Sequence, residues 1–136
     1  MKYPLLCLAA LLSFAAAGSA SAFTLDIGRM KAHATPASDT LEAAQICSAM
    51  SMAFAFTYGD DKSDEGKTQA DKYTLLSRMW LGIAADKSGV SYNDYIDNTA
   101  MTDMQSLADL DADTLDFYDG YCQQSAREVI AAAHTQ

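Results

Sequence analysis

The chain has 136 residues, half of them hydrophobic, and carries 18 acidic against 9 basic side chains for a net charge of −9. That length suits a single domain with a modest core. The acidity excludes nucleic acid and anionic membrane surfaces as partners, because both repel it, and favours a soluble protein that meets a basic one.

Residues 1–22 read as a secretory signal peptide, with Lys2 as the positive start, an apolar run over 5–17 and small residues up to Ala22, after which cleavage is expected. The run is too short for a membrane anchor, so no membrane association is expected after processing. Removing 22 residues from 136 leaves 114, and the charge falls from −9 to −10 because Lys2 is the only ionised side chain lost. Of the three cysteines only Cys47 and Cys122 remain. An even count in an exported chain predicts a disulfide, formed in the oxidising periplasm or outside the cell. The wide spacing excludes a C-x-x-C redox pair.

Residues 23–38 form the next unit, an extended leader and linker. Phe23, Leu25 and Ile27 alternate with Thr24, Asp26 and Gly28, a strand-like period of two. No second strand candidate exists, so the leader is expected to be loose or to add to another molecule. A single helical domain over 39–136 follows.

The first helix of that domain is expected to start at Asp39, with Glu42 closing a capping box. Ala43, Ile46, Cys47, Met50, Ala53 and Phe54 share one face, yet Ala44, Met52, Ala55 and Phe56 make the other face nearly as apolar. Such a helix is enclosed by its neighbours or contacts something else, a partner or a second copy of the chain. The polar run over 58–67 is read as a loop. Thr68 and Asp71 are read as the next capping pair, ahead of Tyr73, Leu76, Met79, Trp80, Ile83 and Ala84, with Gly89 placed to stop the helix in a left-handed conformation. Ser91 and Asp94 cap a third segment, with Val90 and Tyr95 as its hydrophobic staple and Tyr92, Ile96, Ala100, Met104 and Leu107 as its face. Asp113 and Asp116 are read as the last capping pair, before a stripe of Leu115, Tyr118, Cys122, Ala126, Val129 and Ala133. Gly120 interrupts this helix and suggests a close approach to the first one, or a break.

Four helical segments with short connections predict an all-α, antiparallel up-down four-helix bundle, stapled by one disulfide between the first and fourth helices. Cys47 and Cys122 then lie mid-helix at similar heights.

Catalytic motifs are lacking: H-E-x-x-H, C-x-x-C-H and G-x-S-x-G do not occur, and His33 and His134 lie at the margins of the domain. The chain is therefore expected not to be an enzyme and to need no cofactor or metal. Asp109, Asp111 and Asp113 match the opening of a calcium loop, but Thr114 stands where the glycine belongs and Gly120 where the glutamate belongs. Haem held between a first-helix methionine and a last-helix histidine would need His134, which falls opposite Met30 rather than Met50 or Met52. The methionine pairs Met50 and Met52, and Met101 and Met104, are read as core rather than as copper ligands.

Charge asymmetry is the strongest functional signal. Residues 88–126 contain no Lys or Arg, while Asp94, Asp97, Asp103, Asp109, Asp111, Asp113, Asp116 and Asp119 all fall there. One-signed surfaces steer cationic partners. The expected function is that of a small exported binding protein, an inhibitor or immunity-type partner of a basic protein, with these aspartates as the contact face. A stress chaperone opened by acid, and a metal or haem carrier, are the alternatives.

Overall fold

The computed structural model describes residues 25–135. Expectations about the signal peptide, and about Phe23 and Thr24, fall outside that range. The described chain is all-helical and forms no strand among its described residues.

The leader differs from the extended reading. Asp26 caps a short helix, α1 (Ile27–Lys31), by accepting from the backbone N–H of Arg29 at 3.0 Å. Leu25 and Met30 are buried on either side of that cap. Period two held over too few residues to outweigh a local cap and two core anchors. Arg29 then pairs with Glu42 at 2.6 Å, which ties α1 to the start of the next helix. His33 reverses the chain with φ of 56°, and the following residues run to α2 (Leu41–Gly59).

Thr40, not Asp39, caps α2, accepting from the Ala43 N–H at 3.2 Å. Glu42 is committed to Arg29 and closes no capping box. Every residue from 43 to 52 is buried, including Gln45, Ser48 and Ser51. Enclosure on all sides explains why the stretch from 43 to 52 has no polar face.

The second long helix, α3 (Asp64–Ser88), starts earlier than Thr68. Ser63 caps it by accepting from the Gly66 N–H at 3.0 Å, and Asp64 and Glu65 lie in the first turn, where the helix dipole favours them. Most of the polar run is therefore helix rather than loop. Gly89 ends α3 as expected: at φ 71° it bonds back to Asp86, while the Val90 N–H reaches Ala85 at 3.2 Å, which satisfies the last carbonyls.

Ser91 caps the third segment by accepting from the Asp94 N–H at 3.2 Å, as its spacing predicts. That segment is interrupted: α4 (Tyr92–Tyr95) passes through a π-turn (Ile96–Ala100) into α5 (Met101–Ser106) and a 3-10 turn (Leu107–Asp109). Its buried residues are Tyr95, Thr99, Asp103 and Leu107, spaced by four, together with Ala100; the expected face thus holds at Ala100 and Leu107, with Ile96 and Met104 packed against the core, while Tyr92 is exposed. A repeat of four drifts by about 40° per turn on an α-helix. The wider π-turn offsets part of that drift and keeps these residues facing inward.

The last helix, α6 (Ala112–His134), is capped by Asp111 rather than by the expected pair, accepting from the Thr114 N–H at 2.7 Å. Its buried residues are Thr114, Tyr118, Cys122, Ser125 and Ala126. Cys122 is bonded to Cys47 of α2, with Cα atoms 5.4 Å apart. Gly120 makes no close approach: it is exposed, and a Cβ there would meet nothing within 4 Å. Gly120→Ala is therefore expected to raise stability by about 0.5–1 kcal/mol, read as a higher urea midpoint; a loss would mean that the site is not open.

The core gathers Trp80, Tyr95, Tyr118, Met30, Ile46 and Met50, all almost fully buried. Met52 is also buried, and Met79, Met101 and Met104 pack against this cluster. The methionines thus serve as gap-filling core.

Candidate functional site

The eight aspartates of the basic-free stretch do not form one uniform surface. Asp94 and Asp97 are exposed on α4 and the π-turn, Asp109 on the 3-10 turn, and Asp113 and Asp116 on the first turns of α6. Asp111 is exposed but occupied as the α6 cap, and the hydrogen bonds from Thr114 hold its carboxyl below the usual range. Asp119 is half-buried and accepts from the Tyr73 hydroxyl at 2.8 Å and from the Gln123 amide at 3.1 Å. Asp103 is 2% exposed and cannot meet a partner at all. Among the described residues the one ion pair is Arg29 with Glu42, so no cation neutralises any of the eight.

Asp103 instead holds the N-terminal segment. Its Oδ1 accepts from the Leu25 N–H at 3.1 Å, while Oδ2 and the nearby buried Tyr95 hydroxyl have no hydrogen-bond partner. Burial pushes the Asp103 carboxyl up to about 6, against the opposing effect of the Leu25 N–H. Burial, and then the charge of Asp103, push the Tyr95 hydroxyl up to about 12. A raised carboxyl can serve general acid–base chemistry. This one is enclosed, and its geometry is that of a tether.

A second unexpected feature is a strap over α6. The His33 ring stacks on Phe117 at 4.3 Å and lies 3.3 Å from the Thr114 hydroxyl. The Tyr118 hydroxyl donates to the Ala34 carbonyl at 2.7 Å, Tyr121 donates to the Pro36 carbonyl, and Ser38 donates to the Glu128 carboxylate. His33, read from the sequence as marginal, thus lies against α6 on Phe117 but stays exposed. The available signal was the spacing of Phe117, Tyr118 and Tyr121, which sets three aromatic rings along α6.

Where the strap enters α2, a groove of about 740 Å³ opens between the last turns of α3 and α6. Ile83, Val129, Ala132 and Ala133 form its apolar part, and Asp39, Asp86, Glu128 and Lys87 its polar part. A shallower hollow of about 290 Å³ lies between α2 and α3, lined by Met52, Ala55, Phe56, Thr74, Ser77 and Leu81. There Met52 is buried but Phe56 is 61% exposed, so enclosure accounts for only part of the apolar outer side of α2.

No three His, Cys, Asp or Glu side chains converge on a metal-sized site among the described residues, the Asp109, Asp111 and Asp113 run included. Met30 is buried in the core whereas His134 is exposed at the end of α6. No described helix is long and apolar enough to cross a membrane.

Comparison with known proteins adds no functional information: no family model, no curated protein and no solved structure matches the chain.

Proposed function

We propose that the mature chain is an exported binding protein that performs no chemistry and docks its acidic surface on a basic protein, as an inhibitor or immunity partner does. The observation that carries this reading is the set of five exposed aspartates, Asp94, Asp97, Asp109, Asp113 and Asp116, with no cation paired to any of them among the described residues. Self-repulsion in such a set disfavours the isolated protein and is relieved by a cationic partner. The scaffold is read as an antiparallel up-down four-helix bundle. In support, Ser38 meets Glu128, Cys47 meets Cys122, and Met50 and Phe54 share a hollow with Leu115, so ascending positions in and before α2 meet descending ones in α6. The buried disulfide supports an oxidising location, periplasmic or secreted.

The competing chaperone reading requires acid to open the fold. Asp103 opposes that, because protonation removes the cost of burying its charge, which outweighs the weaker bond from the Leu25 N–H.

Capture from an exported protein fraction tests the proposal. The immobilised, oxidised protein is expected to retain a basic protein at low salt and release it at high salt, where the Debye length shrinks to a few ångströms. Retention of nothing salt-sensitive would remove its support.

A further inference from the structure

We infer that the groove between the ends of α3 and α6 seats a basic amphipathic segment of the partner, with a lysine or arginine side chain as its anchor. The inference rests on the acidic-docking function proposed above and adds a second contact, for one segment of the partner, separate from the Asp94 to Asp116 surface and at the other end of α6 from Asp113 and Asp116.

The groove combines two properties that suit such a side chain. Its apolar part, made by Ile83, Val129 and Ala132, matches an aliphatic stem, and the small Ala132 lets a helical backbone come close. Asp39, Asp86 and Glu128 stand around it, and none is paired with a cation among the described residues, Lys87 included. The Glu128 carboxylate accepts from Ser38 and Gln124, and these bonds hold it below its usual range, so it keeps its charge. Both flanking helices also end here, α3 at Ser88 and α6 at His134. Helix C-termini carry partial negative charge, so the helix dipoles and the carboxylates favour a cation together. An anionic segment would meet repulsion from the three carboxylates and both helix ends, with Lys87 alone to attract it. A neutral apolar segment would leave the carboxylates desolvated without a partner.

The test uses the full mature, oxidised protein and a labelled amphipathic Leu/Lys helical peptide as probe, with the same peptide carrying Glu for every Lys as control. Binding is read by fluorescence anisotropy at low salt. Ala132→Trp fills the groove from an exposed helix position, and Asp86→Lys reverses the charge of its rim. Circular dichroism and a thermal melt establish that each variant folds. Each substitution is expected to weaken binding of the Lys peptide by about tenfold or more, while the double variant Asp113→Asn, Asp116→Asn changes it by less than about threefold. Chemical shifts on the labelled protein are expected to move at Ile83, Val129 and Ala132. If the Asp113, Asp116 pair controls affinity and Ala132→Trp does not, the groove assignment is wrong while the acidic-docking function survives. If the Glu peptide binds as well as the Lys peptide, the cationic anchor is overturned. If neither peptide binds, the inference fails outright; the docking function is then judged separately by capture from the exported fraction.

Discussion

Replacing both Cys47 and Cys122 by alanine is expected to lower stability by about 4.5 kcal/mol, the loop-closure entropy that a bridge over some 75 residues removes from the unfolded chain. A domain of this size has a total stability of about 5–15 kcal/mol, so the double variant should lose roughly a third to nine-tenths of it. Alanine is the informative choice. Cys47 is fully buried, and serine would add the cost of an unpaired hydroxyl to the loss of the bridge. Urea titration of the oxidised wild type, the reduced wild type and the double variant separates the terms: the last two should unfold together, at far lower urea. A midpoint unchanged by reduction would show that the helices hold each other without the bridge.

Asp103→Asn is expected to stabilise the protein by about 2 kcal/mol at pH 8, and the advantage should vanish near pH 4. The folded carboxyl titrates at about 6, above the usual value near 4 for an unfolded aspartate. A raised folded value means that the folded state binds the proton first. Stability contributed here is therefore complete below about pH 4 and lost as pH rises through about 6. Two pKa units correspond to roughly 3 kcal/mol, and the asparagine NH2 group, which takes the place of the unpartnered Oδ2, gives back part of that. The asparagine carbonyl can still accept from Leu25. The exposed carboxylates of Asp61, Asp111 and Glu128 act in the opposite sense, since their hydrogen bonds hold their pKa values low and are weakened in acid. Urea melts of both proteins from pH 4 to pH 8 check the prediction. A gap that does not change with pH would mean that Asp103 titrates alike in the folded and unfolded chain, so that burial does not raise it.

Local chemistry explains which parts of the fold were legible in the sequence. Ser91 and Gly89 act where their spacing puts them, because a side-chain cap and a left-handed glycine depend on a few neighbouring residues. Where several capping residues stand close together the choice fell wrongly: Thr40 was passed over for Asp39, Ser63 for Thr68, and Asp111 for Asp113. These alternatives differ little in intrinsic preference, and packing decides between them. The pairing of Cys47 with Cys122 was legible because only these two cysteines remain once the expected signal peptide is set aside.

Features that depend on distant contacts left little trace. No residue pattern announces the π-turn at Ile96–Ala100, and without it Asp103 counts as one more surface aspartate. Docking of the leader depends on the Leu25 N–H reaching Asp103, 78 residues away, and on the Tyr118 and Tyr121 hydroxyls donating to the carbonyls of Ala34 and Pro36. Gly120 misled in the opposite direction, since a helix glycine suggests close packing but this one faces open space. The acidic set was correctly read in composition. Its division into exposed, capping and buried members needed the fold.

The central claim is that exposed aspartates hold a basic partner, and its most direct measurement compares wild type with a variant in which Asp94, Asp97, Asp109, Asp113 and Asp116 are all asparagine. Calorimetric titration of each with the partner captured at low salt, over a series of salt concentrations, reads both the affinity and its electrostatic share. Wild-type affinity is predicted to fall steeply with salt, and the variant to bind about tenfold or more weakly at low salt with a flatter dependence. Equal affinities and equal salt slopes for the two proteins would contradict the account.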